Sequence, residues 1–332
     1  MIDVSVIIPT MDRVESLKQC VNSVLTQEYT RDNYEVIVVD NGLSGSTKRV
    51  IEDLKKNYGD QVKYLRESNP GLHNARHKGA AVSKGKILAY LDDDVIVDRK
   101  WITVCESFKD PSIHMVGGRI RPKWEVEPPS WVWIFQDTCE FGKVFGYLSL
   151  LDFGGEPKRI PPIFAFGCNM MIRKKTLFDC GGFHPDAFPK ELIRYRGDGE
   201  TGLSKKLEDK GCKVIYNPIA TVHHVIGKER LSLEYFRQRA FNQGISDSFT
   251  EIRRNRGLKN HHLREMKERL RRLHSKIISL MLDGQDPKGI KNTVFRSYLE
   301  GRRYHLKEVL KDPKLLEHVL KETWLAGTYG RK

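Results

Sequence analysis

Ile87-Leu88-Ala89-Tyr90-Leu91-Asp92-Asp93-Asp94 sets an apolar run directly against three carboxylates. The run reads as a strand that the aspartates stop. Upstream the same theme repeats. Val4–Ile8 is an apolar run closed by Pro9-Thr10. Val36-Ile37-Val38-Val39 is closed by Asp40-Asn41-Gly42, and Val62–Leu65 is a weaker third run. Between them Val14, Leu17, Val21, Val24 and Leu25 recur at three- and four-residue spacing, as on one helix face. Lys48–Tyr58 and Gly71–Ser83 read as further helices. Strands of nearly continuous apolar residues that alternate with helices predict a parallel sheet covered on both faces. Ligands of such sheets bind beyond the carboxyl ends of the strands. This chain puts Pro9-Thr10, Asp40-Asn41 and the three aspartates there.

Adjacent carboxylates repel and raise one another's pKa values unless a cation joins them. Mg²⁺ or Mn²⁺ suits the place, since hard cations take oxygen ligands and Mg²⁺ typically uses one or two carboxylates. In an extended segment Asp92 and Asp94 face one side and Asp93 the other, so Asp92 and Asp94 are the pair that shares a ligand. The competing reading is a solvated acidic turn.

Later segments are less regular. Trp124, Trp131, Trp133 and Phe135 lie among Pro122, Pro128 and Pro129, which fits either a substrate-facing loop or an aromatic core. The alternation resumes at Met170–Ile172, Thr201–Lys210 and Val214–Tyr216. After Gly227 the chain reads as helical. Leu263, Met266, Leu270, Leu273, Ile277 and Leu280 form a heptad-like seam too short for an independent coiled coil, which implies packing on the first domain or on another chain. Gly284–Pro287 reads as a turn, and Pro313–Leu325 as a helix with Leu316, Val319, Leu320 and Trp324 on one side.

Four ordered segments resemble the family 2 glycosyltransferases of the GT-A fold. They are Val4–Thr10, Val36–Asn41, Asn69-Pro70-Gly71-Leu72-His73-Asn74-Ala75-Arg76 and Leu91–Asp94. The resemblance runs from residue 3 to about 230. It implies an α/β fold with a mostly parallel central sheet, helices on both faces and an α-helical C-terminal region. It also implies that Pro9, Thr10 and Asp40 line the nucleobase pocket, Asp40 accepting a hydrogen bond from the base. Asn69, Gly71, Arg76 and Asp93 would lie near the nucleotide, Asp92 at the ribose, and Asp94 at a Mg²⁺ or Mn²⁺ ion on the donor pyrophosphate. UDP is the first expectation for that donor. Arg196–Leu203 resembles the segment that carries the general base. The pattern departs there, with Gly199 and Glu200 at the two acidic positions, so Glu200 is the first candidate and Asp198 the second. Both compete with a plain helix-capping role. Asn217–His224 resembles the segment with the family's histidine, which makes His224 a metal ligand or phosphate contact, or His223 if the strand is shifted by one. Arg230 then faces pyrophosphate or an acidic neighbour. No second nucleophile is evident, so one direct displacement, an inverting hexosyl transfer, is the expected course.

Composition bounds the rest. The 332 residues carry a net charge of +14. Residues 1–227 hold 32 basic and 30 acidic side chains, and residues 228–332 hold 25 and 13. The expected division is therefore a catalytic domain, 1–227, and a basic helical region, 228–332. That region suits a glycan or lipid-linked acceptor at an anionic membrane surface. No nucleic-acid module is recognisable, and oligomerisation is left open. No apolar run reaches the ~18–20 residues of a membrane span, and the N-terminus does not read as a signal peptide. Six scattered cysteines give neither a zinc spacing nor a disulfide framework. The expected setting is cytoplasmic, peripheral on the inner membrane face. Two rival readings remain: a nucleotidyltransferase, which lacks its Gly-rich basic loop after the first strand, and a basic binding protein for membrane or nucleic acid.

Overall fold

The computed structural model describes residues 2–258, 266, 269–275, 277 and 287–325. The first part follows the expected alternation. Strand β1 (Val4–Thr10), helix α1 (Val14–Leu25), β2 (Tyr34–Asp40), α2 (Ser46–Tyr58), β3 (Val62–Arg66), α3 (Leu72–Val82) and β4 (Ile87–Leu91) succeed one another. Every position of β1 and β2 is buried, which is why they carry runs of Val and Ile. Helix α1 turns Leu17, Cys20, Val21, Val24 and Leu25 to the core. Each fully buried Val or Leu contributes about 1.5–3 kcal/mol.

Strands β3-β2-β1-β4 are parallel neighbours in that order. The chain leaves β1 toward β2 and β3, then returns to set β4 on the other side of β1. A crevice opens beyond the strand ends at such a reversal. Thr10 and Asp40 are direct register partners there, and Asp92 follows the end of β4.

Past β4 the sheet is mixed rather than mostly parallel. After β5 (Val95–Val97) and β6 (Ile113–Trp124) come four short strands, β7 (Asp137–Cys139), β8 (Gly142–Phe145), β9 (Leu150–Asp152) and β10 (Lys158–Arg159). Strand β11 (Asn169–Arg173) lies antiparallel between β4 and β6. Parallel neighbours need a long crossover, and this stretch supplies short strands and turns instead. Within it Trp131 and Phe135 pack on Phe236 at 5.1 and 5.0 Å, and Trp124 meets Trp133 at 5.7 Å. The aromatic segment is thus mainly core. Helix α4 (Lys174–Asp179), helix α5 (Glu200–Asp209) and the long strand β12 (Lys213–Ile226) complete this part, with β12 parallel to β6 and antiparallel to β5.

The helical region contains α6 (Leu233–Arg254), α7 (Pro287–Lys311) and α8 (Pro313–Leu320). Helices α6 and α7 cross backbone to backbone. A Cβ at Gly244 would stand 2.1 Å from the Tyr298 carbonyl oxygen, and one at Gly301 would stand 2.0 Å from that of Phe241. Phe249, Ile252, Leu306, Val309, Leu315, Val319 and Trp324 form a separate small core. Helix α8 stops at Leu320, short of the expected Leu325. Trp324 then folds back beside His318, at 4.6 Å between ring centroids, with its backbone N–H on the Gly181 carbonyl. The seam residues Met266, Leu270, Leu273 and Ile277 are 43–59% exposed, so they do not pack on the first domain. Leu263, Leu280 and most of the expected 284–287 turn lie outside the described residues.

Five histidines are buried or nearly so, and burial lowers the pKa of each: His73 to about 4, His305 to about 3, and His77, His184 and His318 also downward. The unfolded chain therefore binds more protons than the fold below the free-histidine pKa, about 6.5. Stability is complete above that pH and is lost as pH falls toward 4 for His73 and toward 3 for His305. Each fully titrating histidine costs about 1.4 kcal/mol per pH unit in that window. Asp93, raised to about 6 by burial, works in the opposite sense and offsets about one of them. Melting temperatures measured from pH 7.5 to 5 should fall steadily. An unchanged melting temperature across that range would contradict the assignment.

Candidate active site

A cavity of about 180 Å³ sits at the reversal point. Its wall combines Pro9 and Thr10 at the end of β1 with Arg13 just beyond it, Asn41 beyond β2, Leu72 and Ala75 of α3, and Asp92 and Asp93 beyond β4. Thr10 Oγ1 donates to Asp93 Oδ2 at 2.6 Å. Asp40 does not line this cavity. It is fully buried, accepting from the Gly42 N–H at 2.9 Å and the Tyr64 hydroxyl at 2.9 Å. Its neighbour Asn41 takes the surface position and donates to the carbonyls of Glu67 and Asn69, both at 2.8 Å. Asn41 Oδ1 also accepts from the Gly71 N–H at 3.1 Å. Asn69 and Gly71 thus support Asn41 and are not themselves wall residues.

The three aspartates part company because the chain turns at Asp93-Asp94 instead of staying extended. Arg13 Nη1 bridges Asp93 Oδ1 at 3.1 Å and Asp94 Oδ2 at 2.8 Å. Asp92 instead takes Arg76 Nη2 at 3.2 Å. Burial pushes the Asp92 carboxyl up against the pull of Arg76. Burial would raise Asp94 as well, but the guanidinium groups of Arg230 and Arg13 outweigh it and hold that carboxyl well below its ordinary range.

Strand alternation in β12 separates the two histidines. His223 points to Asp98, with Nε2 at 2.9 Å. His224 is buried beside Asp94. Its Nδ1 lies 3.0 Å from the Leu148 carbonyl oxygen, and Arg230 Nη1 donates to its Nε2 at 2.7 Å. This partner set assigns the proton to Nδ1 and leaves Nε2 an acceptor. Arg230 Nη2 also donates to Asp94 Oδ2. Asp94 Oδ1 is buried without a hydrogen-bond donor, 3.3 Å from His224 Nε2. Arg230 already occupies the lone pair of His224 Nε2, so a metal at Asp94 Oδ1 takes His224 as a ligand only by displacing that guanidinium. No group of three His, Cys, Asp or Glu side chains able to hold a metal occurs among the described residues. Water and substrate phosphate would fill the remaining positions, as Mg²⁺ sites usually allow.

A larger cavity of about 470 Å³ adjoins the first, and the two share Leu72, Asp92 and Ala187. Glu200, the first residue of α5, stands in its wall with its side chain 30% exposed. Glu200 Oε1 accepts from Arg76 Nη1 at 2.8 Å, and Oε2 accepts from the Gly167 N–H at 2.7 Å. A Cβ at 167 would lie 2.1 Å from Glu200 Oε1 and 2.5 Å from Arg76 Nη2, so a larger residue there would push both side-chain ends aside. Each oxygen keeps a lone pair for a further donor. Asp198 differs. It is buried, with Oδ1 2.5 Å from His184 Nδ1 and Oδ2 accepting from Thr250 of α6. Cys168 also borders the cavity, but burial pushes its thiol far up, so it is no nucleophile.

Arg76 binds both sides together. It is buried, bridges Asp92 and Glu200, and lies 5.2 Å over the Phe183 ring. The sequence reading placed Asn41 at a strand end beside Asp40 but assigned no role at the site to it, to Arg13 or to Gly167. Arg13 had a signal, a cation three residues past Thr10 at a strand end rich in acids. Gly167 had none, because its role is a backbone N–H.

Residues 5–184 match the Glycosyl transferase family 2 domain. The chain belongs to that family. Among curated relatives, the glucosyl-dolichyl phosphate glucuronosyltransferase of Haloferax volcanii is 27% identical over 254 residues, covering 75% of this chain and 77% of its own. A glycosyltransferase of the same organism, AglE, is 33% identical over 119 residues, 36% of this chain and 39% of its own. The Campylobacter jejuni GalNAc(5)-diNAcBac-PP-undecaprenol beta-1,3-glucosyltransferase is 33% identical over 92 residues, 27% of this chain and 29% of its own. The crystal structure of GalNAc-T7 with UDP, GalNAc and Mn²⁺ superposes with a TM-score of 0.50 at 18% identity, covering 75% of this chain and about half (52%) of that one. That likeness shows the fold, which is GT-A with a helical C-terminal region.

Proposed function

We propose that this family 2 enzyme is an inverting, metal-dependent transferase. It moves a sugar from a nucleoside-diphosphate donor, UDP first, to a hydroxyl of a glycan linked to a lipid phosphate. The adjoining cavities carry this reading: a donor in the smaller and an acceptor in the larger would meet at Asp92. Thr10 and Asn41 take the nucleoside, with Asp40 holding the loop beneath. The acceptor hydroxyl attacks the anomeric carbon and gives its proton to Glu200. The bond from that carbon to the diphosphate breaks, and its electron pair leaves with the nucleoside diphosphate. Arg13 and Arg230, which converge on Asp94, supply cationic charge to the leaving group. Asp94 and His224 would hold the metal, which when bound neutralises charge on the diphosphate. The relatives named for dolichyl- and undecaprenyl-linked substrates support the acceptor class.

Residues 1–227 carry the donor chemistry together with Arg230, and α6 of the 228–332 region completes the acceptor side. The test is a thermal-shift screen of sugar nucleotides with and without Mn²⁺. A UDP-sugar should raise the melting temperature, and Mn²⁺ should enlarge the rise, because ligands of the native state stabilise by mass action. No response to any sugar nucleotide would sink the reading.

The helical region supports a peripheral membrane contact. No helix among the described residues is long and apolar enough to cross a membrane. Residues 269–275 are helical, and Met266, Leu270, Leu273 and Ile277 expose an apolar stripe in a basic sequence, the composition of an interfacial helix. Flotation with vesicles containing anionic lipid should carry the protein upward at low salt and release it at high salt. Absence from the vesicle fraction at low salt would refute this contact.

A further inference from the structure

We infer that Arg239 of α6 receives a phosphate on the acceptor sugar, next to the hydroxyl that Glu200 deprotonates. The inference rests on the reading of the larger cavity as the acceptor site. Helix α6 lays Arg239, Asn242, Gln243 and Ser246 along that cavity. The spacing of three, four and seven residues puts them on one helix face. The acids in the wall are all matched. Asp92 and Glu200 share Arg76, Asp198 holds His184, and Asp186 pairs with Arg196 at 2.6 Å. Arg239 is the exception among the wall's charged groups. Its hydrogen bond goes to the Gly146 carbonyl at 3.2 Å, and it has no carboxylate partner among the described residues.

A guanidinium in a cleft without its own counter-ion is suited to an anion from the substrate, and its planar fork matches phosphate oxygens. Its neighbours suit hydroxyls. Asn242 Oδ1 accepts from Gln238, which leaves its amide N–H groups to donate. Gln243 Nε2 donates to Asp247 at 2.8 Å, which leaves its carbonyl to accept. Arg239 would thus bind the anion while the two amides orient the ring.

The test uses the full chain and binding rather than turnover. Isothermal titration compares glucose, galactose, mannose and N-acetylglucosamine with their 1-phosphates, their decyl phosphodiesters and inorganic phosphate. At least one phosphorylated sugar should bind more tightly than its parent sugar and than phosphate alone. Arg239→Gln should weaken it roughly ten- to hundredfold, the value of a charge-assisted hydrogen bond, and Arg239→Lys should restore part of the loss. Tighter binding of the diester assigns the phosphate to a lipid anchor, and tighter binding of the monoester to a soluble sugar phosphate. Equal affinity of wild type and R239Q, equal binding of sugar and sugar phosphate, binding of phosphate alone at the same strength, or no binding in the whole panel would each overturn the inference. Turnover is not read in this titration, so a failure of the base assignment at Glu200 would show in the kinetics of E200Q and leave the comparison of wild type with R239Q intact.

Discussion

Replacing Glu200 by Gln lowers kcat by roughly 10²- to 10⁴-fold, the usual contribution of a positioned base, while the fold survives with a smaller loss of melting temperature than in the control below, because Asp92 still pairs with the buried Arg76 and the Glu200 side chain is 30% exposed. Glutamine keeps the size of the side chain and a carbonyl to accept from the Gly167 N–H, but its amide nitrogen cannot take a proton. The control is Asp198→Asn. Asp198 is tied to His184 and Thr250 in a buried site, and removing one partner of a buried charged cluster costs about 3–5 kcal/mol. That variant should lose several degrees of melting temperature, at about 2–4 °C per kcal/mol for a large domain. The two carboxylates are two residues apart, yet one variant should report chemistry and the other stability. Steady-state kinetics beside thermal melts separate them. Wild-type kcat in E200Q would move the base elsewhere.

Replacing Asp94 by Ala should lower turnover at least 10²- to 10³-fold, the usual cost of losing one preorganised group that stabilises transition-state charge. It should also remove the difference between nucleotide binding with and without Mn²⁺. The fold should survive with a lower melting temperature, because Arg13 is half exposed and keeps Asp93 whereas the mostly buried Arg230 loses its carboxylate partner. A D94A enzyme with full activity, or with an undiminished Mn²⁺ effect on nucleotide binding, would rule out this metal assignment.

Much of the donor half was legible from local pattern. Apolar runs and three- to four-residue spacing placed β1 to β4 and α1 to α3 within a few residues of their observed bounds. The polar clusters at the strand ends did border one crevice, because parallel strands put their carboxyl ends on one side. The pairings were not legible, because they are long-range. Arg76 and Glu200 are 124 residues apart, and no spacing rule connects them. Asp198 could not be told from Glu200 until Thr250 of α6 closed over it. Asp92 and Asp94 were assigned to one side on the premise of an extended chain, and a turn at Asp93-Asp94 cancelled that premise. Asp40 was legible as a strand-end acid, but its capture by Gly42 and Tyr64 depends on the loop and on the β2–β3 register. Of the two histidines, only the observed alternation in β12 shows which one stands beside Asp94.

The wall that α6 contributes to the larger cavity has a consequence for kinship. Thr10, Asn41, Asp92 and Asp94 fall inside the stretch shared with the family, residues 5–184, whereas Arg239, Asn242 and Gln243 fall outside it. The family match therefore spans these strand-end residues and does not reach the wall that α6 supplies. Two enzymes can inherit the same donor machinery from a common ancestor and diverge in product through one helix alone.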